Sequence, residues 1–254
     1  MIVILAGTRD GRELAATLAR QGWPVSVAVV SEYGRKLAAK DGLTVHAGGR
    51  DAAGMVALFK TEGARAVIDA SHPYAVNASN NAQAACAALD LPYLRYERPQ
   101  APLPDYDKLH RAADAAEAAR LAASLGKVLF LATGSRTLAV FKNEPLLAGS
   151  RLIARVLPEP EILSLCRRLG FPPADIIALQ GPFSHQLNLA LFREYGAEVV
   201  ITKNSGFVGG TDSKISAAIE LSLPLIVIDR PDVEYGRIAA DFDAVSDFVR
   251  EVLQ

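Results

Sequence analysis

Asp69, Ser71, His72 and Tyr74 lie within six residues, "DASHPY", at the end of a short apolar run, and Asn77, Ser79 and Asn80 follow closely. An acid, a hydroxyl, an imidazole and a phenol at one point can hold and pass a proton, and Pro73 stiffens the loop that carries them. A structural histidine and a catalytic one both fit this stretch. Elsewhere a cation follows apolar run after apolar run: Arg95 and Arg98 in "PYLRYERP", Arg136 behind Thr133, Gly134 and Ser135, and Arg155 in "RLIARVLP". Lys203 precedes Ser205 and Gly206, Lys214 opens a helical stretch, and Arg230 follows Asp229. Guanidinium and ammonium groups so placed bind carboxylates, so the expected ligand carries several of them.

A third group opens the chain. In "VILAGTRDGRELA" an apolar run, Ile2–Leu5, ends in Ala6-Gly7-Thr8, and a helical pattern begins near Arg12. Strand, glycine turn and helix in that order form the front of a nucleotide-binding unit, which makes Gly7, Thr8, Arg9, Asp10 and Gly11 candidates for a coenzyme pyrophosphate. The G-x-G-x-x-G pattern is absent, and a plain strand-to-helix turn is the alternative. After the second apolar run, "VVSEYGRKL" puts Ser31 and Arg35 where a 2′-phosphate would sit, which favours NADPH. Glu32 would instead suit the free ribose hydroxyl of NADH, and a solvated Arg35 fits equally. Gly48, Ser71 and His72 complete the coenzyme set.

The elements that must position these groups alternate. Strands are expected at 2–6, 25–30, 43–46, 66–69 and 92–95, with helices at 10–21, 33–40, 51–62 and 75–89. Residues 97–107, "ERPQAPLPDYD", read as a linker. The pattern then repeats, with strands at 127–132, 151–156, 175–179, 198–202 and 224–228 and helices at 135–142, 159–169, 184–195, 212–221 and 240–252. "VILAGTRDGRELA" rhymes with "LFLATGSRTLAVF", and "AVIDASHPYA" with "LIVIDRPDVE". Each half is expected to close on a strand and helix, "KLHRAADAAEAARLAA" and "YGRIAADFDAVSDFVREVL". The expected fold is α/β: two Rossmann-like domains with mainly parallel sheets and a cleft between them. Residues 1–100 would bind coenzyme and 101–254 substrate, with terminal strands free to cross. The loop 204–214 is expected to be a mobile lid, with Asp212 or Ser213 capping the helix beyond it.

Composition narrows the function classes. The net charge of −1 over 254 residues argues against a general polyanion binder, so no nucleic-acid partner is expected. No apolar run reaches bilayer length, which argues against a membrane partner, and the chain enters its first strand at Met1-Ile2 with no basic n-region, so no signal peptide is expected. Cys86 and Cys166 show neither metal spacing nor a disulfide framework, which suits a reducing cytoplasm.

The chain resembles the precorrin-6A reductase family of cobalamin biosynthesis. The resemblance rests on "ILAGTRDGRELA", "DASHPYAVNASNNAQAAC", "PYLRYERP", "TGSR", "RVLP", "QGPFSHQLN", "TKNSGFVGGTDSKISAA" and "VIDRP", in order from Met1 to about Pro231. It implies a coenzyme domain and a substrate domain, and hydride transfer from NADPH to a ring carbon–carbon double bond of precorrin-6A, giving precorrin-6B. It also implies a coenzyme site without the usual glycine pattern, and a tetrapyrrole whose acetate and propionate arms meet the cations. Hand-over of the product to the next pathway enzyme is a further expectation. The related cobalt-precorrin-6A reductases act on the metallated ring, with NADH as the alternative coenzyme. His72, Tyr74, Asp69 or a water would supply the proton, and the residues leave these open.

Overall fold

Parallel strands buried on both faces need apolar side chains at every position, and "IVIL" supplies them. In the computed structural model, which describes residues 1–39, 42–206 and 210–253, this run is β1 (Ile2–Leu5), fully buried. Ile2 and Ile4 point to one face and pack with Leu14 and Leu18 of α1 (Arg9–Arg20). Val3 and Leu5 point to the other, where they meet Met55 and Phe59 of α3 (Ala52–Thr61) and Ala82 and Ala85 of α4 (Val76–Leu89).

The chain divides into two compact units: Met1–Pro99 with Asp232–Gln254, and Gln100–Pro231. In the first, β1 lies between β2 (Val25–Val29) and β4 (Ala66–Asp69), with β3 (Thr44–Ala47), β5 (Tyr93–Tyr96) and β12 (Ile238–Ala239) completing the order β3-β2-β1-β4-β5-β12. Every pairing is parallel. The second unit repeats this order. Its strands β6 (Leu109–Ala112), β7 (Val128–Leu131), β8 (Arg151–Val156), β9 (Ile176–Ala178), β10 (Val199–Lys203) and β11 (Leu225–Ile228) line up as β9-β8-β7-β10-β11-β6, again all parallel. Its core is built on Phe130, edge-on to Phe192 at 4.9 Å, with Ile153, Val200, Ile215 and Val227. Both orders are doubly wound, and each has a switch point where ligands of such sheets bind: between β1 and β4, and between β7 and β10.

The two closing segments cross between the sheets, which the sequence reading leaves open. "KLHR" forms β6 and pairs with β11 in the second sheet, while β12 returns to pair with β5 in the first. Residues 232–254 therefore lie with the first unit rather than with 101–231. Main-chain bonds from Arg95 N to Arg237 O (3.0 Å) and Glu97 N to Ala239 O (2.9 Å) hold β12. Val245, Phe248 and Val249 of α10 (Phe242–Leu253) join the cluster that buries Ile2 and Ile4. A local strand–helix pattern specifies its own burial but not which open sheet edge receives it. The expected helix 135–142 is likewise divided into a 3₁₀ turn, Ser135–Thr137, and α6 (Leu138–Asn143).

Candidate functional site

The first unit gathers its chemistry at its switch point. Thr8 caps α1: its Oγ1 accepts from Gly11 N (3.0 Å) and donates to Ala70 O (3.2 Å), tying the β1–α1 turn to the end of β4. That hydroxyl is thus already used. Gly11 is required by packing, because a Cβ there would stand 2.8 Å from Ala70 O. Gly7 differs: its φ lies outside the left-handed region, it is exposed, and a Cβ would meet nothing within 4 Å. The fold itself does not need glycine there. Open space over a turn at a helix N-terminus fits a group that approaches the backbone closely, as a pyrophosphate does.

Several residues expected to touch ligand already have partners within the protein. Asp10 and Arg98 form a buried ion pair across the start of α1. Burial pushes the Asp10 carboxyl up, but Arg98 and the hydrogen bonds from Thr8 and Arg98 outweigh it and hold it below its ordinary value. Arg9 pairs with Glu13 on the exposed face of α1. Ser31 Oγ accepts from Gly34 N (3.0 Å) at the start of α2 (Glu32–Ala39), and Arg35 Nε meets Glu32 Oε2 at 2.6 Å. The rival residues of the sequence reading are thus paired with each other, at an exposed site where such a pair contributes little. Gly48, at φ +114°, accepts from Arg50 through its carbonyl (2.9 Å).

Asp69, at the end of β4, is the hub of a buried network. Its Oδ1 accepts from Ser71 N (3.0 Å) and meets Arg95 Nη1 (3.0 Å), and its Oδ2 accepts from Ser79 Oγ (2.5 Å) and Tyr93 OH (2.9 Å). Arg95 is fully buried, also binds Glu97 (3.0 Å) and Ser71 Oγ (3.1 Å), and stacks over Tyr235 at 4.8 Å. Burial and then the Asp69 charge raise Tyr93, which stays a phenol, and push the Cys86 thiol up to about 12. Two residues expected at the site are thus engaged within the fold: both Asp69 oxygens accept from protein donors, and Arg95 is enclosed among Asp69, Glu97 and Tyr235. What the network does is hold the loop that bears His72 and Tyr74. There His72 Nδ1 accepts from Tyr74 N (3.3 Å), which leaves the neutral ring's proton on Nε2.

In the second unit the switch point is cationic. Thr133, Gly134 and Ser135 follow β7; Gly134 has φ +76°, which a side chain would strain, and its missing Cβ again leaves open space. Arg136 sits in that turn, Arg155 on β8, Lys203 at the end of β10 and Lys214 in α9 (Thr211–Glu220). Arg155 is buried, donates to Asn188 Oδ1 (2.7 Å), and lies over the rings of Phe183 (4.7 Å) and Phe130 (5.4 Å). Burial lowers it to about 10. Burial and then Arg136 lower Lys203 to about 8. Burial, Arg155 and Lys203 lower Lys214 to about 7 against the opposing pull of Asp212.

Arg230 donates from Nε to Asn204 O (3.1 Å) near Ser205. The expected lid falls partly on 207–209, outside the described residues. Its two ends meet: Thr211 Oγ1 donates to Lys203 O (3.3 Å) and lies 3.4 Å from Ser205 Oγ. Gly210, not Asp212 or Ser213, is the N-cap of α9, and Ser213 instead donates to Phe183 O (2.9 Å). Sequence reasoning missed Asn188 and Phe183, although both lie in the quoted "QGPFSHQLN". It also missed Tyr93, Glu97 and Tyr235, which carry no local signal. No helix among the described residues is long and apolar enough to cross a membrane, and no cluster among them suits a metal ion.

The model of the precorrin-6x reductase CbiJ/CobK family matches residues 1–250. The chain is 40% identical to a cobalt-precorrin-6A reductase of Priestia megaterium over 96% of each chain. It is 32% identical to a precorrin-6A reductase of Rhodobacter capsulatus over 96% of this chain and 93% of that one. Among solved structures, CobK precorrin-6A reductase superposes with a TM-score of 0.80 at 31% identity, covering 98% of this chain and 96% of that one. The chain belongs to the precorrin-6x reductase CbiJ/CobK family.

Proposed function

We propose that this chain is an NADPH-dependent reductase that converts precorrin-6A to precorrin-6B in cobalamin biosynthesis. The family supports a reductase of a tetrapyrrole; the coenzyme, product and residue roles are this reading. The observation that carries it is the division of labour between two like folds. One switch point offers an open glycine turn, and the other gathers Arg136, Arg155, Lys203 and Lys214. The nicotinamide, when bound, supplies a hydride to one carbon of the ring double bond.

The chain does the rest. Gly7 and the start of α1 hold the pyrophosphate, and Ser31 and Arg35 hold the 2′-phosphate. The cations of the second unit, with Thr133, Ser135, Ser205 and Arg230, hold acetate and propionate arms and so fix which ring carbon is presented. The neighbouring carbon needs a proton. His72 and Tyr74 are the side chains proposed to deliver it, held in place by the Asp69 network. A second reading, reduction of the cobalt-containing ring with NADH, is favoured by the relatives at 38–40% identity, which bear the cobalt-precorrin-6A name.

Arg35→Ala separates the coenzymes. Loss of a charge-assisted contact of about 1.5–3 kcal/mol should raise the apparent KM for NADPH roughly ten- to a hundredfold and leave that for NADH unchanged. Equal losses for both would assign Arg35 a structural role, and a wild type that prefers NADH would favour Glu32 and the second reading.

A further inference from the structure

Three arginines are buried among the described residues, and two of them face carboxylates: Arg95 meets Asp69 and Glu97, and Arg98 meets Asp10. Arg155, near the end of β8, is the exception. Its Nη1 donates to Asn188 Oδ1 (2.7 Å), a neutral amide, and no carboxylate among the described residues pairs with it. Burial alone acts on its proton, and at about 10 the group stays charged at neutral pH. A guanidinium taken out of water without a counter-ion is costly, so folds rarely keep one without a use for it.

The surroundings hold that charge in one pose. Phe183 and Phe130 lie over the guanidinium at 4.7 and 5.4 Å. Asn188, on α8 (His185–Glu194), is itself fully buried, and its amide is fixed: Nδ2 donates to Ser184 O (2.9 Å) and lies 3.4 Å from Ser213 Oγ. Ser213 in turn donates to Phe183 O (2.9 Å), which ties the ring to the same cluster. Arg95 has one sealed nitrogen without an acceptor, Nη2, whereas Arg155 has none in that condition. The unbonded edge of its fork, Nε and Nη2, is therefore open to a ligand, and such an edge meets a carboxylate in two parallel hydrogen bonds. It stands at a strand end, where sheets of this kind receive ligands.

We propose that Arg155 binds one carboxylate arm of the tetrapyrrole, and that Asn188 keeps it free for that arm. The proposal rests on the substrate reading above and adds which side chain takes an arm and why its partner in the fold is neutral. The amide holds the fork in place without competing for its charge. Asn188→Asp would keep the size of the side chain but supply the anion within the protein itself, and so occupy the guanidinium before the ligand arrives. Arg155 is thus the contact, and Asn188 the residue that positions it.

The test is fluorescence titration of the whole protein with uroporphyrin, a stable octacarboxylate porphyrin with acetate and propionate arms, with thermal melting to confirm that each variant folds. Arg155→Gln removes the charge but can still donate to Asn188, and should weaken binding about ten- to a hundredfold. Arg155→Lys keeps the charge but not the fork, and should fall between that variant and the wild type. Asn188→Asp should weaken binding about as much as Arg155→Gln does. Combined with Arg155→Gln it should add no more than about a twofold loss, because the new carboxylate then has no guanidinium to occupy. A general loosening of α8 would instead add its full loss, and that result would overturn the role of Asn188. Affinity of Arg155→Gln within about twofold of the wild type would overturn the proposal and leave the substrate reading standing. Wild-type protein that binds no uroporphyrin would overturn both.

Discussion

Asp69→Ala should destabilise the protein by about 3–5 kcal/mol, because it leaves a fully buried guanidinium without its charge partner. Arg95 would keep Glu97, but Ser71 N, Ser79 Oγ and Tyr93 OH would all lose their acceptor. Asp69→Asn should cost less, since an amide oxygen still accepts on one side. Removing both charges together with Asp69→Asn and Arg95→Met should cost less than the two single losses summed, because no ion is then stranded. Urea unfolding measures all four. A loss below about 1 kcal/mol for Asp69→Ala would mean that the network does not hold the end of β4.

Gly7→Val should do the opposite: little to stability and much to coenzyme binding. The new side chain enters open space at an exposed residue whose φ lies outside the left-handed region, so the folded state should change by less than about 0.5 kcal/mol. The same atoms would stand where the pyrophosphate approaches the turn. Losing one or two charge-assisted contacts there should weaken NADPH about ten- to a hundredfold, read by titrating nucleotide fluorescence. Unchanged NADPH affinity in a well-folded variant would move the coenzyme away from this turn.

Strand and helix positions were largely legible because parallel strands and their helices differ in period and composition. β8, expected at 151–156, is Arg151–Val156, and β4, expected at 66–69, is Ala66–Asp69. Edge membership was not legible. The segments that form β6 and β12 are alike, and only long-range hydrogen bonds assign each to its sheet.

At the sites, residue type disclosed chemistry but not availability. Arg95, Arg98, Arg136 and Arg155 read alike in a sequence. Yet Arg95 is enclosed by Asp69, Glu97 and Tyr235, and Arg98 pairs with Asp10. The partners come from 26 and 88 residues away, beyond any local pattern. Gly7 and Gly11 were likewise indistinguishable, although one faces open space and the other a carbonyl at 2.8 Å.

The central claim is that hydride passes from NADPH to the tetrapyrrole on this chain. Purified protein given precorrin-6A and NADPH deuterated at nicotinamide C4 tests it directly. The account predicts one deuterium in the reduced tetrapyrrole for each NADPH oxidised, from one of the two C4 faces, and a far slower turnover with NADH. Recovery of unchanged tetrapyrrole with NADPH intact, from protein that binds both, would contradict it.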